Sequence, residues 1–340
     1  MISSEKFKSL IDKVAIGQTL NTSESVKSFE YMMSGNATPS QMGAFLMGLR
    51  VRGETVEELT GGAKAMRARA LQVNAPKNAV DTAGTGGDGT GTFNISTAAA
   101  ILVAASGIPV AKHGNRALTS KSGSADMLSA LGVNIEAEVD IIEKCLNRAN
   151  IGFMMAPKHH GAMRHVGPTR LELGTRTIFN LLGPLSNPAN ASLQLIGVFD
   201  RSWAEPMARV LDNLGSKRVW VVHGSDGIDE ITTTGTTDVV EMHNGYIKKF
   251  KISPEEAGLE YSSISQLRGG DGEYNARIMK DLLSGQTGPI RDIVILNAAA
   301  MILISGRAEN LKEGAKIVSE NIKNGKAKET LELLIKISNS

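Results

Sequence analysis

Cysteine is almost absent: Cys145 is the only one in 340 residues. No disulfide can form within the chain, and the helical spacing of Ile141, Ile142 and Cys145 predicts a buried thiol. An excess of either charge is missing too. Thirty-seven Lys and Arg against thirty-five Asp and Glu leave a formal net charge of +2, too little for the sequence-independent phosphate attraction of a nucleic-acid binder. Any anion must be met by local groups. Long apolar runs are also lacking. The most apolar stretch, Ile293 to Ser305, is interrupted by Asn297 and falls short of the roughly 20 residues of a membrane span, so it predicts a core helix. Residues Met1 to Asp12 mix Glu5, Lys6, Lys8 and Asp12 with few apolar side chains and form no signal-peptide core, so the expectation is a cytoplasmic protein. No internal repeat or low-complexity tract interrupts the chain.

What is present is ordinary globular material, 41% hydrophobic and 21% charged, enough for one large core and a smaller one. Residues 1–72 predict a small all-helical domain, joined by the helices around 168–190. Its helix starts are announced by Thr38 with Pro39 and Gln41, and by Thr55 with Glu58. Met42, Phe45, Leu46 and Leu49 then recur at helical spacing. Residues 73–340 alternate short apolar runs with helical segments. Strands are expected at Ala79 to Ala83, Ile108 to Ala111, Ile151 to Met155, Leu193 to Phe199 and Arg218 to Val222. Helices are expected near 95–106, 123–131, 139–149 and 203–214, with three more following Asn275. That alternation predicts an α/β domain with a mostly parallel sheet, and substrates between the two domains.

The clearest chemical feature is Asp81-Thr82-Ala83-Gly84-Thr85-Gly86-Gly87-Asp88-Gly89-Thr90-Gly91, between an expected strand and a helix opening at Asn94-Ile95-Ser96-Thr97. Glycines let successive N–H groups approach a phosphate, and a helix start adds partial positive charge. Gly84, Gly86 and Gly89 also fit a dinucleotide fingerprint. The helix starts too late for that, however, and the next strand ends in Lys112 where an acidic residue is needed. Asp88 inside the loop would repel a bare diphosphate, so it is expected to meet a sugar hydroxyl or a Mg²⁺-bound water.

Three further segments carry chemistry. Lys112 to Asp126 gathers three cationic residues, glycines and hydroxyls, suited to clamping phosphate. Asp229-Glu230 follows an apolar strand and suits a hard cation, with Ser96 as a possible hydroxyl ligand. In Gly167 to Leu185, Arg170 stands near a helix start as a fork for a carboxylate, and Arg176 is read as structural. His159, His160 and His165 match no zinc spacing and are expected on a mobile covering loop or on plain surface. Met154 and Met155 continue an apolar strand and are read as core.

Together, Gly84-Thr85-Gly86-Gly87-Asp88, Asn94 to Thr97, Lys112-His113-Gly114-Asn115-Arg116, Arg176-Thr177-Ile178-Phe179-Asn180 through Asn187-Pro188, and Asp229-Glu230 resemble, in order and spacing, the anthranilate phosphoribosyltransferase family. The resemblance covers nearly the whole chain. It implies a nucleoside phosphorylase/phosphoribosyltransferase-like fold and Mg²⁺, two ions, as cofactor. The substrates implied are phosphoribosyl diphosphate and anthranilate, in tryptophan biosynthesis, with a homodimer through the helical domain. Gly84, Gly87, Asp88, Thr92, Asn94, Ile95, Ser96, Thr97, Lys112, His113, Gly114, Asn115, Arg116, Ala117, Leu118, Thr119, Ser120 and Ser124 would bind phosphoribosyl diphosphate. Gly84, Asn115 and Arg170 would hold anthranilate, with His113 and Gly183 lining its pocket. Ser96, Asp229 and Glu230 would be the metal ligands. No catalytic acid or base is assigned, and His113 is the candidate should one exist. One departure is Gly161, where the family often has proline. The competing readings are a pyrimidine-nucleoside phosphorylase-like enzyme, which handles a single phosphate, and a non-catalytic nucleic-acid-binding paralogue.

Overall fold

The computed structural model describes residues 2–117 and 121–340. Leu118, Thr119 and Ser120, expected among the phosphate-binding residues, lie outside the described residues.

Four helices open the chain: α1 (Ser4–Ala15), α2 (Thr22–Met33), α3 (Pro39–Arg52) and α4 (Val56–Arg69). Reciprocal capping boxes start three of them, Asn21 with Glu24, Thr38 with Gln41, and Thr55 with Glu58, so orphan N–H groups are satisfied by side chains three residues on. The remaining order is β1 (Val80–Gly84), α5 (Ile95–Ala105), β2 (Val110–Gly114), α6 (Ser124–Ala130), α7 (Val139–Arg148), β3 (Ile151–Met155) and α8 (Ala156–His159). Then come α9 (Gly167–Leu173), α10 (Phe179–Leu185), β4 (Leu193–Gly197), α11 (Ala204–Asn213), β5 (Arg218–Gly224), β6 (Thr237–His243) and β7 (Tyr246–Ile252). Four helices end the chain: α12 (Gly272–Leu283), which contains Asn275, then α13 (Pro289–Ile304), α14 (Leu311–Lys323) and α15 (Lys326–Ser338).

The sheet order is β3-β2-β1-β4-β5-β6-β7. Strands β1 to β5 are parallel, and β6 and β7 are added antiparallel. That last hairpin was not expected from the sequence. Its turn is Asn244-Gly245, both at positive φ (50° and 84°), the signature of a two-residue hairpin turn.

Alternation along the strands builds two cores. Leu195, Trp220 and Val222 face α5, α13 and the other C-terminal helices. Ile196, Val198, Val219 and Val221 face α11, the four N-terminal helices, and Phe179, Leu181, Leu182 and Leu185 of α10. The helical bundle therefore shares its core with one face of the sheet, and α10 is the piece of later chain built into it. Helix α13 is buried from Ile293 through Ile304; among the described residues no helix is long and apolar enough to cross a membrane. Cys145 is buried, as expected, and burial pushes its thiol up to about 11.

Chain order reverses between β1 and β4: β2 and β3 lie to one side of β1, β4 and β5 to the other. In open α/β sheets the crevice at such a switch point, beyond the carboxyl ends of the strands, is where ligands bind. Here those ends are Gly84 and Gly197, in register with each other.

Candidate active site

The acidic pair is seated at that crevice. Asp229 lies so close to both strand ends that a Cβ on Gly84 would stand 2.2 Å from its Oδ2, and one on Gly197 1.6 Å from its carbonyl oxygen. No side chain fits at either position, which is why both strands end in glycine. The Gly86 N–H donates to Asp229 Oδ2 (2.7 Å) and the Ser96 N–H to Glu230 Oε1 (3.2 Å). Thus the loop after β1, the start of α5 and the loop after β5 meet through two carboxylates. Behind them Asn297, fully buried in α13, accepts from the Ile231 N–H (3.0 Å) and donates to its carbonyl (2.8 Å). The residue that interrupts the apolar run is the clamp that fixes the acids from the rear.

Charge is crowded here. Burial, then the nearby Asp88 carboxylate, pushes Asp229 up to about 6. Burial, then Asp229, pushes Glu230 up to about 8, with the Lys112 ammonium working the other way. Acids held this high want a cation or a proton. The donor set suits a hard divalent ion: two carboxylates, with the Ser96 hydroxyl, which has no partner among the described residues, at the first turn of α5. No group of three or more His, Cys, Asp or Glu within ligating range exists among the described residues. The protein therefore offers an acidic pair and leaves the remaining positions to phosphate oxygens and water, which is the habit of Mg²⁺.

The glycine loop holds Gly86, Gly87, Gly89 and Gly91 at positive φ. Its Asp88 accepts from the Thr90 hydroxyl (2.6 Å). Helix α5 begins without a side-chain cap from Asn94; its Ile95 N–H turns back to the Phe93 carbonyl, the Ser96 N–H goes to Glu230, and the N-terminal end of the helix faces any anion in front of it. Asn94 instead ties three segments, accepting from the Ser122 hydroxyl (3.0 Å) and from Asn275 Nδ2 (2.7 Å). Ile95 and Thr97 turn their side chains into the core, each 1% exposed, and reach a ligand only through backbone. Thr92 pairs with Arg268.

In the second loop the cations are placed differently from the expected phosphate clamp. Lys112 is 2% exposed, and its Nζ donates to the Thr82 carbonyl (2.6 Å) between Asp81 and Glu230. Its charge reaches the site by compensating those acids. Arg116 pairs with Asp126 (3.2 Å), and Asp126 also accepts from the Ala117 and Gly123 N–H groups (2.9 and 2.8 Å). Ser124 packs on Gly114.

Beside the acids opens a cleft of about 510 Å³ lined by Gly84, His113, Asn115, Arg170 and Gly183, with Met66 from the helical bundle. All five residues expected to meet anthranilate share this one cavity, and it lies between the bundle and the sheet. The Arg170 guanidinium has no hydrogen-bonded or ionic partner among the described residues; it lies 5.3 Å from the Phe179 ring centroid.

The histidines require a correction. His159 and His160 are neither surface nor loop: both are buried, at 1% and 6% exposure, on α8 and its end. The His159 ring bonds the Leu71 carbonyl (2.7 Å), and the His160 ring stands 5.1 Å from that of His113. Burial first, then the nearby His160, holds His113 well below the usual imidazole range, and burial first, then the nearby His159, holds His160 down to about 4. His113 Nε2 is buried without a partner among the described residues, so a neutral ring faces the cleft with one free atom. His165 is half-buried beside Gly35.

Family comparisons agree with this geometry. A model of the α/β domain of a glycosyl transferase family matches residues 76–328, and one of its helical bundle domain matches residues 8–70. The anthranilate phosphoribosyltransferase of Rhodopseudomonas palustris is 58% identical over 98% of this chain and 98% of its own. That of Azospirillum brasilense is 56% identical over 98% and 93%. The chain belongs to the anthranilate phosphoribosyltransferase family. Among solved members of the family, the Thermus thermophilus enzyme superposes with a TM-score of 0.92 at 40% identity, covering 97% of this chain and 99% of its own. The Saccharomyces cerevisiae enzyme in complex with phosphoribosyl diphosphate and Mg superposes at 0.91 with 30% identity, covering 99% of each. Sequence reasoning missed three residues that line or brace this candidate site. His160 carried no signal beyond its neighbourhood, Asn297 stood out only as a polar break in an apolar helix, and Arg176 was read as structural.

Proposed function

We propose that this chain transfers the phosphoribosyl group of phosphoribosyl diphosphate to anthranilate, releasing diphosphate, in tryptophan biosynthesis. The observation that carries the reading is the meeting of the glycine loop and Asp229-Glu230 at the switch point, next to a cleft that holds an unpaired arginine. In the reaction the anthranilate amine forms a bond to the anomeric carbon, the carbon–oxygen bond to diphosphate breaks with inversion, and the amine proton passes to water. An aromatic amine is neutral near pH 7 and needs no base at the start. His113, held neutral, adds no positive charge beside a ribose that becomes cationic as the leaving group departs.

The chain's own contribution is positioning and charge. Loop amides and the start of α5 hold the diphosphate, Arg170 forks onto the carboxylate of anthranilate, and Asn115 and Gly183 shape its pocket. Mg²⁺, held by Asp229, Glu230 and Ser96, supplies positive charge to the departing diphosphate when bound; we propose two ions, since Asp88 also faces the pair. Consumption of anthranilate, followed by its fluorescence with phosphoribosyl diphosphate, is expected only with Mg²⁺. Phosphorolysis of thymidine in its place, or salt-sensitive DNA binding without turnover, would overturn the assignment.

We further propose a cytoplasmic homodimer joined through the helical bundle. Ile16, Val51 and Leu171 are 64%, 83% and 82% exposed, at the end of α1, on α3 and on α9, where α3 packs on both of the others. Exposed apolar side chains on adjoining elements suit a self-complementary interface. Val51→Glu with Leu171→Glu is expected to give a monomer in sedimentation, and an unchanged mass would remove this face from the interface.

A further inference from the structure

A loop with four glycines at positive φ has little rigidity of its own, so what holds it decides whether its amides are ready for an anion. On one side the holder is Asp229, through the Gly86 N–H. On the other it is Arg176. The Arg176 Nη2 donates to the Gly87 carbonyl, and the guanidinium lies 4.0 Å from the Phe199 ring centroid, just past the end of β4. The Phe199 N–H in turn donates to Thr85 Oγ1 (3.0 Å) in the same loop. The Arg176 carbonyl accepts from Arg50 Nη1 of α3 (2.7 Å). Among the described residues no carboxylate forms an ion pair with Arg176. Its charge only adds, after two bonds from Ser202, to holding Asp200 below its usual range.

One residue thus touches the helical bundle, the β4 exit and the glycine loop. The peptide plane makes this contact directional. In a trans peptide the carbonyl of one residue and the N–H of the next point in opposite directions. Fixing the Gly87 carbonyl on the guanidinium therefore fixes the Asp88 N–H on the other side of the loop. A lysine could donate one bond but could not lie flat on Phe199.

We propose that Arg176 is a positioning residue for phosphoribosyl diphosphate. It clamps the glycine loop in its anion-binding shape and, through Arg50, ties that shape to the seat of the helical bundle. The proposal rests on the reading of this loop as the diphosphate site. It gives the structural arginine of the 176–180 segment a part in substrate affinity while it touches no substrate itself.

The test compares Arg176→Ala, Arg176→Lys and Arg50→Gln with the parent, by steady-state kinetics and by hydrogen exchange over residues 84–91 without substrate. Loss of a hydrogen bond from a charged group is expected to raise the phosphoribosyl diphosphate KM of Arg176→Ala about tenfold or more, with the anthranilate KM nearly unchanged. Exchange in the free loop should quicken, and added guanidinium ion should restore part of the affinity. Arg176→Lys should fall between parent and alanine. Arg50→Gln, a change at an exposed position that the fold tolerates, should move KM the same way by a smaller factor. A merely structural arginine would lower Tm and the active fraction and leave this KM where it was; that result, or unchanged loop exchange, overturns the proposal. Should the loop of the parent gain no protection from phosphoribosyl diphosphate with Mg²⁺, the diphosphate reading itself fails, while the free-loop exchange still reports on the clamp.

Discussion

Asp229→Asn combined with Glu230→Gln is expected to lower kcat by on the order of a thousandfold and to erase the Mg²⁺ requirement, yet leave the metal-free protein at least as stable as the parent. The two effects share a cause. Burial, then Asp88, pushes Asp229 up to about 6, and burial, then Asp229, pushes Glu230 up to about 8, so the folded chain holds these protons more tightly than the unfolded one. The stability these two protons contribute then falls as pH rises from the ordinary carboxylate range through those values, and that contribution is lost in full only above about pH 8. Amides carry no such charge and escape the loss. They also cannot hold the ion that offsets the charge of diphosphate. Melting curves should show the parent gaining more from Mg²⁺ above about pH 8 than near pH 5, where protons already occupy the acids, and the double variant gaining nothing at either. Unchanged turnover would sink the metal assignment. A large fall in the metal-free Tm of the variant would show instead that the acids serve the fold.

How much of this was legible in the sequence depends on how local each cause is. The glycine loop was legible because strand, glycines and helix start lie in one short segment. Two of the three capping boxes, Thr38 with Gln41 and Thr55 with Glu58, and the parallel strands were legible for the same reason, being set by neighbours within a few residues; that of Asn21 with Glu24 was overlooked. The acidic pair could be named from its place after a strand, but not its partner: Asp229 meets Gly86 across 143 positions, a contact created by the order reversal between β1 and β4. Arg176 reaches Gly87 across 89 positions and gives no local sign of it. Burial of Lys112 is a similar case. A lysine in a loop rich in glycine and serine reads as a phosphate clamp, and only the packing of β1 against β2 shows that its ammonium is enclosed with Asp81 and Glu230. The last hairpin was overlooked although Asn244-Gly245 announced it, because its flanking strands carry the charges expected of a surface.

Arg170→Ala is expected to raise the anthranilate KM by on the order of a hundredfold, about 3 kcal/mol for a charge-assisted pair in a partly closed cleft, with much less effect on the phosphoribosyl diphosphate KM. The guanidinium is available for this: burial lowers its affinity for the proton without neutralising it, and it has no partner among the described residues, while the Phe179 ring holds it in place. A free, positioned cation beside His113 and Asn115 discriminates by geometry, so Arg170→Lys should restore little. Substrate truncation gives the decisive comparison. Aniline lacks the carboxylate, so the parent should use it as poorly as Arg170→Ala uses anthranilate, and removing the arginine should cost aniline almost nothing further. That non-additivity is the mark of a direct pair, since two groups that touch lose their shared energy only once. If the variant lost equally with both substrates, Arg170 would be supporting the cleft through Phe179, and the carboxylate would have to be held elsewhere. An anthranilate KM equal to that of the parent would remove Arg170 from recognition altogether.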